Sequence, residues 1–416
     1  MRFFIVLVIL LLCWFQQNQA FWPFTHKKAV HQDQDIKAKL FSPVILVPGY
    51  GGNQIDAKLH KTHTPLYCAK DAKWFNLWLN LELMVPLFIN CWVDNFKLYY
   101  DNVTRTTHNT PGVETRVPGW GNPEVVQWID PTHNRVGAYF IDIGNLLISR
   151  GYMSRKNLHG APYDFRKAPN EQRQFFVDLK ELVEATYETN DQMPVTFITH
   201  SMGSRMVLVF LQQQTLEWKN KFIARVISLA GAWAGSVKAL KVYAMGDDLD
   251  SFLLSGKILK EEQISNPSTA WLLPSPLFWD SNEILATTPK RVYTMAQLDQ
   301  FFNDVGFPNG WEMRKDTMRH VLNFSPPDVE LHCLYGDGIA TVQQLAYEKD
   351  DIADEIPKLI MGPGDGTVNR RSLLACKYWS GYQTANTSSI ALTGVNHLDI
   401  LKHKDVLNYI TRIMQL

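Results

Sequence analysis

Short apolar runs bounded by glycine and proline alternate with helical patterns along most of the chain. Val44-Ile45-Leu46-Val47, Val195-Thr196-Phe197-Ile198, Val226-Ile227-Ser228-Leu229, Val329 to Leu334 and Ile390-Ala391-Leu392 read as strands. After Asn170, the residues Phe175, Phe176, Leu179, Leu182, Val183 and Thr186 fall on one face of a helix. This alternation predicts an α/β architecture, a mostly parallel sheet flanked by crossover helices. No internal repeat, low-complexity tract or linker interrupts it.

Two stretches depart from the alternation and read as insertions, one over residues 60–102 and one over 236–324, the second rich in Pro, Trp and Phe. In the first, Trp74 to Ile89 reads as an apolar helix capped near Asp71 and stopped by Pro86, with Asn76 and Asn80 on a thin polar face. Such a segment suits either a core position or the headgroup layer of a bilayer. Enclosure between Cys68 and Cys91 favours exposure, because a stapled insertion has little core of its own. The candidate membrane-facing residues are Trp74, Phe75, Leu77, Trp78, Leu81, Leu87 and Phe88.

Chemistry enters at Val195 to Gly203, where an apolar strand runs into Thr199-His200-Ser201-Met202-Gly203 and then into a helix-compatible stretch. A serine at the apex of a strand–turn–helix has the context of a nucleophile elbow, with Gly203 at the rear small position and Thr199 in place of the front glycine. A serine hydroxyl is a poor nucleophile until a base takes its proton. Asp365, in Gly362-Pro363-Gly364-Asp365-Gly366, and His397, just past the last predicted strand, supply acid and base in the chain order Ser, Asp, His of the α/β-hydrolase fold. The expected roles are Ser201 as nucleophile, His397 as base and Asp365 as its orienting acid. The oxyanion donors are the backbone N–H of Met202 and one from the loop Val47 to Asn53, assigned to Tyr50. The alternative for that loop is a plain glycine-rich turn; the lysine of a phosphate-binding loop is missing.

The first residues, an apolar run from Phe3 to Phe15 followed by polar residues to Ala20, read as a signal peptide over 1–20, with the hydrolase in 21–416. The run is too short for a bilayer, which takes about 20 apolar residues. Cys13 falls in that segment, and the remaining Cys68, Cys91, Cys333 and Cys376 allow two disulfides in three pairings, the nearest-in-sequence one being the simplest. Sequons at Asn102, Asn323 and Asn386 agree with a lumenal or extracellular route. With 41 basic and 41 acidic residues, the balance argues against a nucleic-acid partner, whereas the 12 histidines would turn the chain cationic in acid. No H-E-x-x-H, paired-cysteine or EF-hand spacing is present, so the expected mechanism uses no metal and no cofactor.

Many ordered motifs resemble the lecithin:cholesterol acyltransferase family: Val47-Pro48-Gly49 with Gly52-Asn53-Gln54, Cys91-Trp92-Val93-Asp94-Asn95, Gly160-Ala161-Pro162-Tyr163-Asp164-Phe165-Arg166, His200-Ser201-Met202-Gly203, Cys333-Leu334-Tyr335-Gly336 and Gly364-Asp365-Gly366-Thr367-Val368-Asn369. The resemblance implies the same triad, the pairs Cys68–Cys91 and Cys333–Cys376, a membrane-binding subdomain in the first insertion and a cap or lid in the second. It also implies a phospholipase A and transacylase acting at a membrane or lipoprotein-like surface, with a lipid acyl donor and water or a lipid alcohol such as ceramide as acceptor. Gly310-Trp311 and Trp271-Leu272-Leu273-Pro274 are more similar to the lysosomal branch than to the plasma one, whereas Tyr50 departs from both. The alternatives are a sterol acyltransferase or general lipase, and a catalytically silent lipid-binding protein.

Overall fold

The computed structural model describes residues 41–249 and 255–416. The expected signal segment, Cys13 included, lies outside the described residues.

Six strands form the central sheet: β1 (Val44–Val47), β2 (Leu158–Gly160), β3 (Val195–His200), β4 (Ile223–Leu229), β5 (Leu331–Asp337) and β6 (Thr387–Thr393). Their order across the sheet is β6-β5-β4-β3-β1-β2, and every pairing is parallel. Successive side chains of a strand point to opposite faces. Accordingly, Ile45 and Val47 join one apolar cluster while Val44 and Leu46 join the other. Both faces are covered, which is why these strands are continuous apolar runs.

The helix Arg173–Thr189 covers one face through Phe175, Phe176, Leu179, Val183, Thr186 and Tyr187. Leu179 is wholly buried there, and truncating such a leucine to alanine costs about 2–5 kcal/mol. The helix Met202–Gln212, which Ser201 precedes, is buried from Met202 to Leu211.

The first insertion corrects the expectation of a helix over Trp74 to Ile89. Asp71–Trp78 is a strand, antiparallel to Ile55–His60, which pairs on its other side with Val113–Arg116; the helix begins only at Ile89 and runs to Phe96. Aromatic residues suit a pleated, half-buried surface. The partner strands lie outside the insertion, so the local apolar run carried no trace of them. Leu77 and Trp78 face inward and are buried.

In the second insertion, the strands Ile284–Thr287 and Val292–Thr294 join Ile339–Ala346 and Lys358–Gly364 in a four-stranded sheet. The last two come from beyond β5, so this sheet is closed by chain outside the insertion. Asp365 follows directly on its final strand.

Candidate active site

The functional groups gather at the carboxyl ends of the central strands, where loops of a parallel sheet are free to converge. Ser201 sits between β3 and the helix Met202–Gln212 with φ of 52°, a conformation that costs a non-glycine residue about 1–3 kcal/mol. The turn is tight because Gly203 lies against the carbonyl oxygens of Val47 and Pro48, leaving no room for a Cβ. Thr199 is accommodated in the front position by a buried hydroxyl chain: its Oγ1 lies 2.8 Å from Ser204 Oγ, which lies 2.8 Å from Ser228 Oγ.

His397 Nε2 is 2.9 Å from Ser201 Oγ, and His397 Nδ1 is 2.7 Å from Asp365 Oδ2. The other carboxylate oxygen of Asp365 accepts from the backbone N–H groups of Thr367 and Val368 at 3.0 and 2.7 Å, which aims Oδ2 at the imidazole. Gly336 of β5 leaves the space that the carbonyl of Val395 and the Asp365 side chain occupy. All three residues are buried, Ser201 and His397 at 8% and 9% exposed and Asp365 wholly so at 0%.

The loop after β1 is pinned from several directions. Tyr163 Oη donates to the Pro48 carbonyl at 2.9 Å, and Gly49 N–H donates to Tyr139 Oη at 3.0 Å. Trp78, assigned from sequence to the membrane, donates its indole N–H to the Gly51 carbonyl at 2.8 Å and packs its ring against Gly51, whose φ is 74°. The N–H groups of Tyr50 and Met202 take no part in the loop and cap hydrogen bonds of the described residues. The Tyr50 ring meets Phe165 edge-on, and its hydroxyl accepts from Asn266 Nδ2 at 2.7 Å.

Two further residues of the site, His200 and Tyr139, carry no catalytic signal in the sequence. His200 Nε2 is 2.8 Å from the His397 carbonyl, an acceptor only, so Nε2 carries the proton. Nδ1 then accepts from the Tyr139 hydroxyl, whose oxygen in turn accepts from Gly49 N–H. One unidirectional chain of hydrogen bonds therefore runs from the loop after β1 to the backbone of the imidazole-bearing residue. Burial holds the His200 pKa well below its ordinary range, and the neighbouring His397 adds to the effect.

Trp74, Leu66, Val85 and Leu87 are exposed on the first insertion, while Phe75, Leu81 and Phe88 are half-buried. Cys68 is bonded to Cys91 and Cys333 to Cys376. Asn102, Asn323 and Asn386 are all exposed. Among the described residues no cluster of three His, Cys, Asp or Glu side chains could hold a metal ion, and no helix is long and apolar enough to cross a membrane.

A strained serine turn between a central parallel strand and a buried helix, with later loops bringing in an acid and then a histidine, is the plan of the α/β-hydrolases, and this chain has that fold. The family model for lecithin:cholesterol acyltransferase matches residues 74–324 and 311–404, and the chain belongs to that family. It is 42% identical over 374 residues to the "Lysosomal phospholipase A and acyltransferase" of Canis lupus familiaris, covering 89% of this chain and 91% of that one. Against the "Phosphatidylcholine-sterol acyltransferase" of Gallus gallus it is 37% identical over 361 residues, 86% and 87% of the two chains. Among solved structures, the Tle4–Tli4 complex matches with a TM-score of 0.49 and 14% identity, over 90% of this chain and 99% of that one.

Proposed function

We propose that the protein is a serine phospholipase A and lipid O-acyltransferase. The observation that carries this reading is the continuous contact from Asp365 through His397 to Ser201, with the serine at a strained turn. His397 Nε2 takes the Ser201 proton as Oγ attacks the ester carbonyl of a glycerophospholipid. Asp365 keeps Nδ1 protonated and stabilises the imidazolium that forms. The N–H groups of Tyr50 and Met202 receive the tetrahedral oxyanion. His397 then protonates the departing lysophospholipid, and deprotonates water or a lipid alcohol that takes the acyl group from Ser201. The relative named as a phospholipase A and acyltransferase supports both hydrolysis and acyl transfer, and the acceptor in this reading is water or a lipid alcohol such as ceramide; the sterol acyltransferase relative makes sterol the competing reading.

The exposed apolar residues of the first insertion, Leu66, Trp74, Val85 and Leu87, form the surface for a bilayer or lipoprotein-like particle, with Leu77 and Trp78 anchoring it from within. Asn102, Asn323 and Asn386 are the glycosylation sites, and the location is a lysosomal or extracellular one. Two disulfides and the relatives' names support that route.

The test is mass spectrometry of products from mixed liposomes that offer water, ceramide and sterol together, at acidic and neutral pH. Ser201→Ala should abolish lysophospholipid release, a loss of about 10⁴-fold or more. A fluorophosphonate that leaves folded protein unlabelled would favour the non-catalytic lipid-binding alternative.

A further inference from the structure

Away from the triad, a carboxyl of the second insertion is buried without an ionic partner among the described residues. Glu262, on the helix Gly256–Gln263 of the second insertion, is 3% exposed and makes no ion pair among the described residues. Its Oε1 accepts from Asn266 Nδ2 at 2.7 Å, and the same amide nitrogen donates to Tyr50 Oη at 2.7 Å. Asn266 is fully buried and precedes the short helix Pro267–Trp271. A single neutral amide thus joins a buried carboxyl of the insertion to the residue whose backbone N–H the mechanism above uses.

The charges around Glu262 leave it unneutralised. Arg166 attracts it, but that guanidinium is already committed to Asp164, the Phe96 carbonyl, Asn109 and Thr115, and Asp164 acts in the opposite sense. On the neighbouring helix Ile89–Phe96 and the residue after it, Asp94 and Lys97 pair with one another, and Lys97 also holds Glu261. On the helix Val237–Met245, Lys238 and Lys241 both pair with Asp247. The Tyr50 hydroxyl is itself kept neutral, its pKa raised by burial and then by Glu262. Burial outweighs the Asn266 hydrogen bond and the attraction of Arg166, both of which favour the ionised form, and pushes the Glu262 carboxyl up to about 7.

We propose that Glu262 is a positioning residue of the acyl-transfer site: uncharged, it holds Asn266 and through it Tyr50, and on ionisation it releases the loop that carries the oxyanion donor. The inference rests on the reading of Ser201 as the acyl carrier and of Tyr50 N–H as a donor. A carboxylate needs more donors than the one amide hydrogen it now has, and an unpaired buried charge is costly. An ionised Glu262 takes the amide hydrogen more strongly than the neutral acid does, and drawing Asn266 Nδ2 toward Oε1 lengthens its contact with Tyr50 Oη. The site is then set in acid and loosened toward neutrality.

The test is kcat/KM of the full chain against pH, on a soluble short-chain ester and on phospholipid vesicles. A histidine base alone gives a fall only on the acid side, so a fall on the alkaline side requires a second group. For a group titrating at about 7, wild type should lose about tenfold by pH 8, in kcat rather than KM, and Glu262→Gln should lose less than about twofold. No alkaline fall in wild type, or the same fall in Glu262→Gln, overturns the proposal. Should the glutamine variant fail to fold, Tyr50→Phe decides, because it keeps the carboxyl and cuts its link to the loop: a flattened limb supports the proposal and an unchanged one overturns it. A folded protein whose Ser201 takes no fluorophosphonate at any pH sinks the hydrolase reading and this inference together; labelling with an unaltered limb sinks the inference alone.

Discussion

The loop after β1 is held on two sides by contacts of different chemistry. On the core side, Gly49 is tied through Tyr139 and His200 to the carbonyl of His397, with every donor and acceptor used and His200 kept neutral by burial. On the insertion side, Tyr50 is tied through Asn266 to a carboxyl that titrates at about 7. Both anchors are buried, so the difference lies in proton affinity. Burial disfavours charge in each case, which lowers the pKa of an imidazole and raises that of a carboxyl. The first anchor is therefore built to survive acid, and the second is strongest there.

The largest effect should come from cutting the core anchor. Tyr139→Phe leaves Gly49 N–H without its acceptor and His200 Nδ1 without its donor, at a cost of about 1–3 kcal/mol for each buried orphan. We expect kcat to fall about 10- to 100-fold on a soluble ester, by the same factor at every pH. A loss confined to neutral pH would mean that the two anchors are not distinct. His200→Gln keeps a donor and an acceptor without a titrating charge, and should retain most of the activity.

Thermal unfolding separates the anchors by sign. Glu262 has a folded pKa of about 7 against an ordinary 4.5, so its proton is bound in the native state and lost in the unfolded one across that window. Its contribution to stability is complete below about 4.5 and disappears as pH rises through 7. His200 runs the other way: its folded pKa lies below 6.5, so stability falls as pH drops beneath that value. Melting temperature should peak between these trends, and Glu262→Gln should remove only the decline on the neutral side, by about 2–4 °C. An unchanged curve in that variant would show that the carboxyl does not titrate in the folded protein.

How much of this was legible in the sequence differs in the same way from region to region. The span Val44–Val47 coincides with β1, and the Ser, Asp, His order led to three side chains that meet, because each stands at the end of an apolar run with its own local punctuation. Leu158–Gly160 gives no sign in the sequence of being β2, since three residues show no periodicity. Trp74 to Trp78 was misread because an unbroken apolar run fits a helix and a strand equally, and its partner Ile55–His60 is fixed only by tertiary pairing. Tyr139 and Asn266 had no local signal, as each acquires its role from a contact more than 60 residues away along the chain. Glu262 touches only Asn266 nearby, and a carboxylate on a polar helix reads as a solvated one.

The first insertion repeats the contrast between inner and outer supports at smaller scale. Leu87 is 62% exposed, and a leucine that enters an apolar phase gains about 1.5–3 kcal/mol. Leu87→Asp should therefore weaken vesicle binding about tenfold while leaving hydrolysis of a soluble ester untouched. Equal losses on both substrates would place Leu87 in the support of the site instead of on the lipid surface.

Trp78 tests the opposite face with the smallest expected effect. Its indole N–H holds the Gly51 carbonyl, and its ring stacks on Phe96, with centroids 5.9 Å apart, and packs edge-on against Phe165. Trp78→Phe keeps an aromatic body and removes the donor, which leaves one buried carbonyl unpaired for about 1 kcal/mol. Because Gly51 adjoins Tyr50, the loop should lose definition without losing its place. We expect a two- to fivefold drop in kcat on a soluble ester, no change in vesicle affinity and no change in the shape of the pH profile. Weakened vesicle binding with normal turnover would return Trp78 to the membrane surface. A flattened alkaline limb would instead show that the indole and Glu262 act on the loop through one support.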